Sequence, residues 1–477
     1  MRRNTLPASR IDEHGQARVD LRAILAMAFP LFVHAGLQAV LNLTDTWFVS
    51  RISSQAVAGV GGVYWLILGL LLLVTGMGMA VQTYAAQAYG ARKYGRAARS
   101  AWNGIWLAAL TIPAFALLVW LGDRLVPALA LPDGVGQSAL DYWGPRFSGG
   151  PIAVAQTAVL SFFMAIGQVR LALSVNIVIA VLNAIFNAWF IWGFGWGVSG
   201  VAWATTASLA CGWLMAMTIF LNGSLRWRYR SRRFWRPQPK RIYAIAALGF
   251  PIGLSIAFDV LGLAAFQAMV TKLGAVQGAA TQIVMMLTSV AYMPAVGLGK
   301  AGTTLVGQSI GAGRPDWARR VGNRVVGLTT AYMFAVGVVL ALFAEFWMGL
   351  FVSTSDPSGP AVIALGITLA WIAGAYQVFD GVHLGSVFCL RGSVFCLRGA
   401  GDTRVPAILL LSMSWGLFVP LSYLFSFERG QGWFDLPGLG WGAAGGWIAA
   451  LLYIALLAGV LGWRWFSGRW MRHGRLV

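Results

Sequence analysis

Residues 56–88 contain not one Lys, Arg, Asp or Glu, and an uncharged run of that length has few structural outcomes open to it. About 20 apolar residues cross the hydrocarbon core of a bilayer as a helix. Twelve such stretches can be marked, each bounded by charges or by Gly, Pro and Asp turns. They fall at 23–49, 56–88, 100–121, 143–167, 171–193 and 199–222, then at 242–271, 277–311, 322–345, 361–391, 404–427 and 438–463. Of the 477 residues 58% are apolar and only 10% charged, and the mean hydropathy is +0.71. A soluble domain carries about 25% charged residues, so lipid must cover most of this surface. The expected fold is an all-α membrane protein with twelve transmembrane helices.

The 35 Lys and Arg against 15 Asp and Glu leave a net charge of +20, which in a soluble protein suggests nucleic acid. Their placement gives another reason. With twelve spans both termini share one side, and 28 of the 35 basic residues fall there, eight of them between residues 224 and 241. The opposite side holds five: Arg51, Arg124, Arg146, Lys272 and Arg429. The positive-inside rule then places both termini in the cytoplasm, so the basic excess is topological and no nucleic-acid partner is expected. The arm ahead of the first span has no apolar core or cleavage site, and no removable signal peptide is expected. The localisation that follows is the cytoplasmic, or inner, membrane.

Sliding the chain along itself by 221 residues aligns Phe29-Pro30 with Phe250-Pro251 and Gly76-x-Gly-x-Ala80 with Gly297-x-Gly-x-Ala301. The register continues through Thr83/Thr304, Gln87/Gln308, Gly90-Ala91/Gly311-Ala312 and Arg99/Arg320. Each half holds six spans, an even number, so the halves share one orientation and are related by an axis along the membrane normal. The expected divisions are an arm (1–22), an N-lobe (23–222), a basic linker (223–241), a C-lobe (242–463) and a tail (464–477). Repeats of this kind build transporters, because two similar bundles can rock about a site at their interface. Pro30 and Pro251 are paired helix interruptions. Each lacks an N–H and frees the carbonyl four residues earlier, of Ala26 and Ala247, allowing a bend; the alternative is a relic of duplication with no role.

The two-fold arrangement, the paired G-x-G-x-A…Q-x-x-G blocks and Leu397-Arg-Gly-Ala-Gly-Asp-Thr403 resemble the multidrug and toxic compound extrusion (MATE) family, with mixed DinF-like and NorM-like features. The resemblance runs from about residue 22 to 460. It implies two six-helix lobes about a central cleft, and a secondary antiporter that exports organic, often cationic, compounds against an inward flux of H⁺ or Na⁺. The implied partners are a small organic substrate and the bilayer, with a monomeric chain and no cofactor beyond the coupling ion.

Three carboxylates lie within spans, where each costs about 2.5–3.5 kcal/mol at a helix centre and so faces a cavity or a partner. A buried carboxylate also takes up a proton more readily than a wetted one. Asp45 resembles the helix-1 aspartate that family members use for ion coupling; its alternative is an interfacial cap beside Arg51. Asn176, Asn183 and Asn187 are spaced by seven and four and share one helical face, either joining helices or lining a polar site. Asn183-x-x-x-Asn187 resembles a family motif whose second position is Asp in some proton-coupled archaeal members. The Asn here removes one titratable group. Thr205 resembles a threonine of the same network. In the second half, Asp259 and Asp380 resemble the acidic residues of helices 7 and 10, and two carboxylates on one cavity would hold a cation or proton between them. Separate packing faces are the alternative.

His383, three residues beyond Asp380, can meet it on one face. Lys300, whose repeat counterpart is Met79, either reaches one of these aspartates or snorkels toward the cytoplasm. No metal ligand set is apparent, and no catalytic residue is identified. Gly-Ser-Val-Phe-Cys-Leu-Arg at 385–391 recurs unchanged at 392–398. Seven residues are about two helical turns and 10.5 Å, so the second copy reads as extra and a longer or bulged end of helix 10 is expected. The motifs of ATP hydrolysis and acyl transfer are not seen. Two other functions stay open: a flippase for a lipid-linked saccharide, which calls for more cations in its cavity, and an intramembrane transferase, which calls for clustered acids or His.

Overall fold

The backbone finds no water inside a bilayer, so every N–H and C=O must bond within its own segment and an apolar run becomes a helix. The computed structural model describes residues 6–128, 135–352, 357–381, 390–473 and 476. Among them eleven helices are long and apolar enough to cross a membrane, and a bent pair, Val135–Ser148 and Gly150–Ala165, meets at 44° to make a twelfth. The first six spans are α1 Leu21–Ser50, α2 Ser54–Gly90, α3 Tyr94–Ala128, the bent α4 Val135–Ser148 with Gly150–Ala165, α5 Val169–Gly193 and α6 Gly197–Leu221. The second six are α7 Pro239–Leu273, α8 Ala275–Gly311, α9 Pro315–Leu342, α10 Gly359–Gly381, α11 Arg404–Ser426 and α12 Gly442–Phe466. They form two lobes, α1–α6 and α7–α12.

Three spans, α3, α4 and α9, begin well ahead of the bounds read from hydropathy, α9 at Pro315 rather than 322. The helix of α3 begins at Tyr94 and carries Arg96 and Arg99 in its first turns, since long cationic side chains reach the interface from within a helix. In α4, Pro145 and the Gly149-Gly150 pair bend the span rather than start it. A Cβ on Gly150 would stand 2.3 Å from the Phe115 ring, so the bend needs a residue without one.

The lobes meet through repeat-related backbone contacts. On Gly76 of α2 a Cβ would lie 2.2 Å from Gly253 Cα of α7, and on Gly297 of α8 it would lie 2.7 Å from the Phe32 nitrogen of α1. At the ends of α2 and α8 the contact is reciprocal: Gly90 abuts the Gln308 carbonyl and Gly311 the Gln87 carbonyl, a Cβ on either meeting oxygen at 1.9 Å. Hydrogen bonds follow the same two-fold pattern. Thr83 and Gln87 donate to the carbonyls of Arg398 (2.9 Å) and Gly399 (3.3 Å). Thr304 and Gln308 donate to those of Met164 (3.2 Å) and Ala165 (2.8 Å). Together these contacts seal the lobes on the face that carries the linker.

That face is more ordered than a charged approach implies. The arm folds into a hairpin, β1 Ser9–Ile11 and β2 Ala17–Val19, turning at Gly15 with φ +77°. Trp317 of α9 donates to the Pro7 carbonyl at 2.9 Å, and Leu476 N–H donates to Gln87 Oε1 at 2.9 Å, so both terminal segments lie on the linker face. The linker forms a short helix, Gly223–Tyr229, and a 3-10 turn, Ser231–Phe234, joined at Arg230 in a left-handed conformation (φ +52°).

Candidate functional site

Asp45 sits in the last third of α1, inside the first lobe. Asn187 Nδ2 of α5 donates to Asp45 Oδ1 at 2.8 Å, and the Thr205 hydroxyl of α6 donates to Asp45 Oδ2 at 3.0 Å. Asn183 completes the group, its Nδ2 3.4 Å from Thr205 Oγ1 and its Oδ1 accepting from Asn187 at 3.2 Å. Both amides are fully buried. Four residues predicted from sequence are thus brought together from three helices, and the four-residue amide spacing puts both side chains on one face, as helical geometry requires. Asn187 Oδ1 has no hydrogen-bond partner among the described residues, leaving an acceptor beside the carboxylate.

Three further groups face this site. Arg146 of α4 lies within electrostatic reach of Asp45, and Tyr64 of α2 and Tyr142 of α4 lie in the same field. Arg51, beside which the alternative reading set Asp45 as an interfacial cap, stacks on Trp47, 5.1 Å from its ring centroid. Sequence sorting counted Arg146 as an outside loop charge; the bend in α4 carries it toward the lobe interior. The site borders an apolar core that includes Phe48, Val63, Phe115, Trp143 and Phe147. Water is therefore excluded on that flank, and charge interactions gain strength there.

The second lobe does not repeat the arrangement. The repeat places Phe266 where α1 has Asp45. Phe266 is buried, with the Phe418 and Trp447 ring centroids at 5.6 and 5.9 Å. Asp259 is half-buried seven residues, about two turns, earlier on α7. Asp380 falls at the end of α10, and its side chain and the whole of His383 lie outside the described residues, so the expected Asp259–Asp380 pair and the Asp380–His383 contact do too.

Asn176 does not join the Asp45 group. It contacts His34 of α1, a residue that sequence reasoning missed because a lone histidine in an apolar span carries no pattern. Lys300 lies within electrostatic reach of His34 and of Arg398, while Gln82 of α2 donates to its carbonyl at 3.0 Å. Lys300 thus stands at the junction of the lobes. Pro30 and Pro251 lie inside α1 and α7, and each helix runs on through its proline.

The repeated heptad is described in part. Within the copy at 392–398, read as extra, Phe395 and Cys396 meet Gly299 and Gly302 of α8, and Thr303 donates to the Phe395 carbonyl at 2.8 Å. These residues lie on the helix Leu390–Ala400. The first copy falls largely at 382–389, outside the described residues, and so does the expected bulge.

Two six-helix lobes with interlocking glycine contacts, and a carboxylate held by amides and a hydroxyl inside one lobe, define a polytopic membrane transporter built by internal duplication. The MatE family model matches residues 30–189 and 251–424, and the chain belongs to that family. A probable multidrug resistance protein NorM of Pseudomonas putida is 31% identical over 469 residues, covering 95% of this chain and 96% of its own length. Another, of Mesorhizobium japonicum, is 28% identical with 96% and 95% covered. Among solved structures, a MATE crystal structure in complex with MaL6 superposes with a TM-score of 0.80 at 20% identity, covering 94% of this chain and 95% of that one. An outward-facing multidrug resistance MATE family transporter of the MOP superfamily gives 0.79, also at 20% identity and the same coverage.

Proposed function

We propose that this protein is a secondary antiporter that exports organic, cationic or amphipathic compounds in exchange for inward H⁺ or Na⁺ by alternating access. The NorM relatives carry multidrug resistance names, and the observation that carries the coupling role is Asp45 with its donors Asn187 and Thr205. The unpartnered Asn187 oxygen beside that carboxylate supplies a second acceptor for a cation or a protonated carboxyl. The seal of α2 against α8 makes this the conformer closed on the linker face, and the linker face is assigned to the cytoplasm of the inner membrane on its basic charge. The chain acts as a monomer, with substrate between the lobes and Asp259 and Asp380 as the acidic groups of the second lobe. For an uncharged substrate, one coupling charge crossing 100 mV releases about 2.3 kcal/mol, enough for roughly a 50-fold substrate gradient at about 1.4 kcal/mol per tenfold; a monovalent cation leaving for one entering ion is electroneutral and is driven by the ion's concentration gradient.

Efflux of a fluorescent organic cation from proteoliposomes under an imposed pH or Na⁺ gradient tests this reading. Asp45→Asn is expected to abolish gradient-driven efflux, whereas Asp259→Asn and Asp380→Asn report on the second lobe. Efflux of equal rate without any gradient would refute antiport. A second reading, flipping of an anionic lipid-linked saccharide, is favoured by one observation, the two cations Lys300 and Arg398 within electrostatic reach of each other at the junction of the lobes. It predicts that a lipid pyrophosphate, rather than an organic cation, competes for the cleft.

A further inference from the structure

Between α3, α6 and the linker lies a groove of about 440 Å³, walled by Leu214, Met217 and Leu221 and closed at its linker end by Trp102, Arg232 and Trp235. Leu214 is 58% exposed, so the groove opens sideways, toward the medium that surrounds the helices. Its floor is built. Trp102 and Trp106 of α3 donate to the carbonyls of Ser231 and Trp235 at 2.7 and 2.6 Å, and Asn103 accepts from Gln238 N–H at 3.1 Å. Arg232 is held in place through Nε to the Leu221 carbonyl (2.9 Å) and through Nη2 to Asn222 Oδ1 (2.8 Å). Both acceptors are neutral and leave the guanidinium its full charge.

The charge around this groove is one-sided. The sequence has no Asp or Glu from residue 46 to 122, and none from 142 to 258. Those two stretches nevertheless place thirteen Lys and Arg on the linker face. The first lobe offers them no carboxylate there, and the counter-anions that such a surface attracts are lipid phosphates. Trp227 and Tyr243, 77% and 76% exposed, stand beside the arginines on this face. Aromatic rings of that amphipathic kind settle at headgroup depth.

We propose that the groove binds an anionic diacyl phospholipid, its headgroup phosphate on Arg232 and an acyl chain along Leu214 and Met217. The lipid would bridge α3, α6 and the linker that leads into α7, and so link bilayer composition to the joint between the lobes. Full-length protein, purified in detergent, is to be titrated with phosphatidylglycerol or phosphatidylcholine of the same acyl chains, with bound lipid counted by native mass spectrometry. Phosphatidylglycerol is expected to bind at least tenfold more tightly. Arg232→Gln should weaken it about fivefold, the worth of one interfacial cation, Arg232→Lys should retain most of it, and Leu214→Trp should block it with the charge untouched. Equal retention of the two lipids would overturn the proposal. So would phosphatidylglycerol binding that survives both Arg232→Gln and Leu214→Trp, or equally tight binding of glycerol phosphate alone, which would make the site one for soluble phosphate. The readout is lipid occupancy, so its failure leaves antiport standing and the failure of antiport leaves it standing.

Discussion

Asp45 depends on donors from two helices, and each can be removed singly. A hydrogen bond to a charged group contributes about 1.5–3 kcal/mol. Asn187→Ala or Thr205→Val is therefore expected to shift the half-saturating concentration of the coupling ion by roughly tenfold or more, read from initial efflux rates at graded ion concentrations. Phe266, the repeat partner of Asp45, should behave in the opposite way. Phe266→Ala empties an aromatic site and is expected to cost about 3–5 kcal/mol of stability, seen as a lowered thermal midpoint with efflux per folded molecule nearly unchanged. The polar group was legible in the sequence because helical spacing alone puts Asn183 and Asn187 on one face, and because an intramembrane carboxylate demands partners. Arg146 was not, since its place depends on the 44° bend in α4, which a hydropathy profile does not carry.

Where α2 meets α8, helices approach until backbone touches backbone. Gly90→Leu or Gly311→Leu puts a side chain where an oxygen stands 1.9 Å from the first added carbon, and overpacking of this kind costs about 1–3 kcal/mol or more. The strain is relieved by parting the linker-face ends. Spin labels at the exposed positions Lys93 and Arg314 are expected to report a longer distance distribution in either variant than in the parent protein. The repeated heptad gives a further expectation at this scale. Its copies are identical, so deleting either leaves the same chain, and the survivor takes the seat against Gly299 and Gly302. Deletion should leave efflux within about twofold of the parent rate. The glycine contacts were legible as a pattern, because Gly-x-Gly-x-Ala recurs in register, but their partners were not, since no local rule says which helix a small-residue face will meet.

The sidedness expected of the whole chain rests on thirteen cations on one face of the first lobe and the linker, and more on the same face of the second lobe. A fluorescent protein fused to the C-terminus is expected to mature and fluoresce, and a periplasmic phosphatase fused at the same point to stay inactive; the reverse pair of results would invert the topology. Twelve spans and their two-fold order could be read from hydropathy and self-alignment, because lipid leaves a helix no alternative. The folded hairpin and linker could not, since their order comes from contacts such as Trp317 with Pro7, 310 residues apart, and Trp102 with Ser231, 129 residues apart. The reciprocal meeting of Gly90 with Gln308 and Gly311 with Gln87 has a consequence of another kind. It is an isologous interface, the self-complementary contact of a two-fold dimer, written within one polypeptide. A six-helix chain carrying that glycine and glutamine would pair with a copy of itself through the same atoms, and each change to either residue would be felt twice. Within one polypeptide the two halves need not match, and Asp45 stands in one where Phe266 stands in the other.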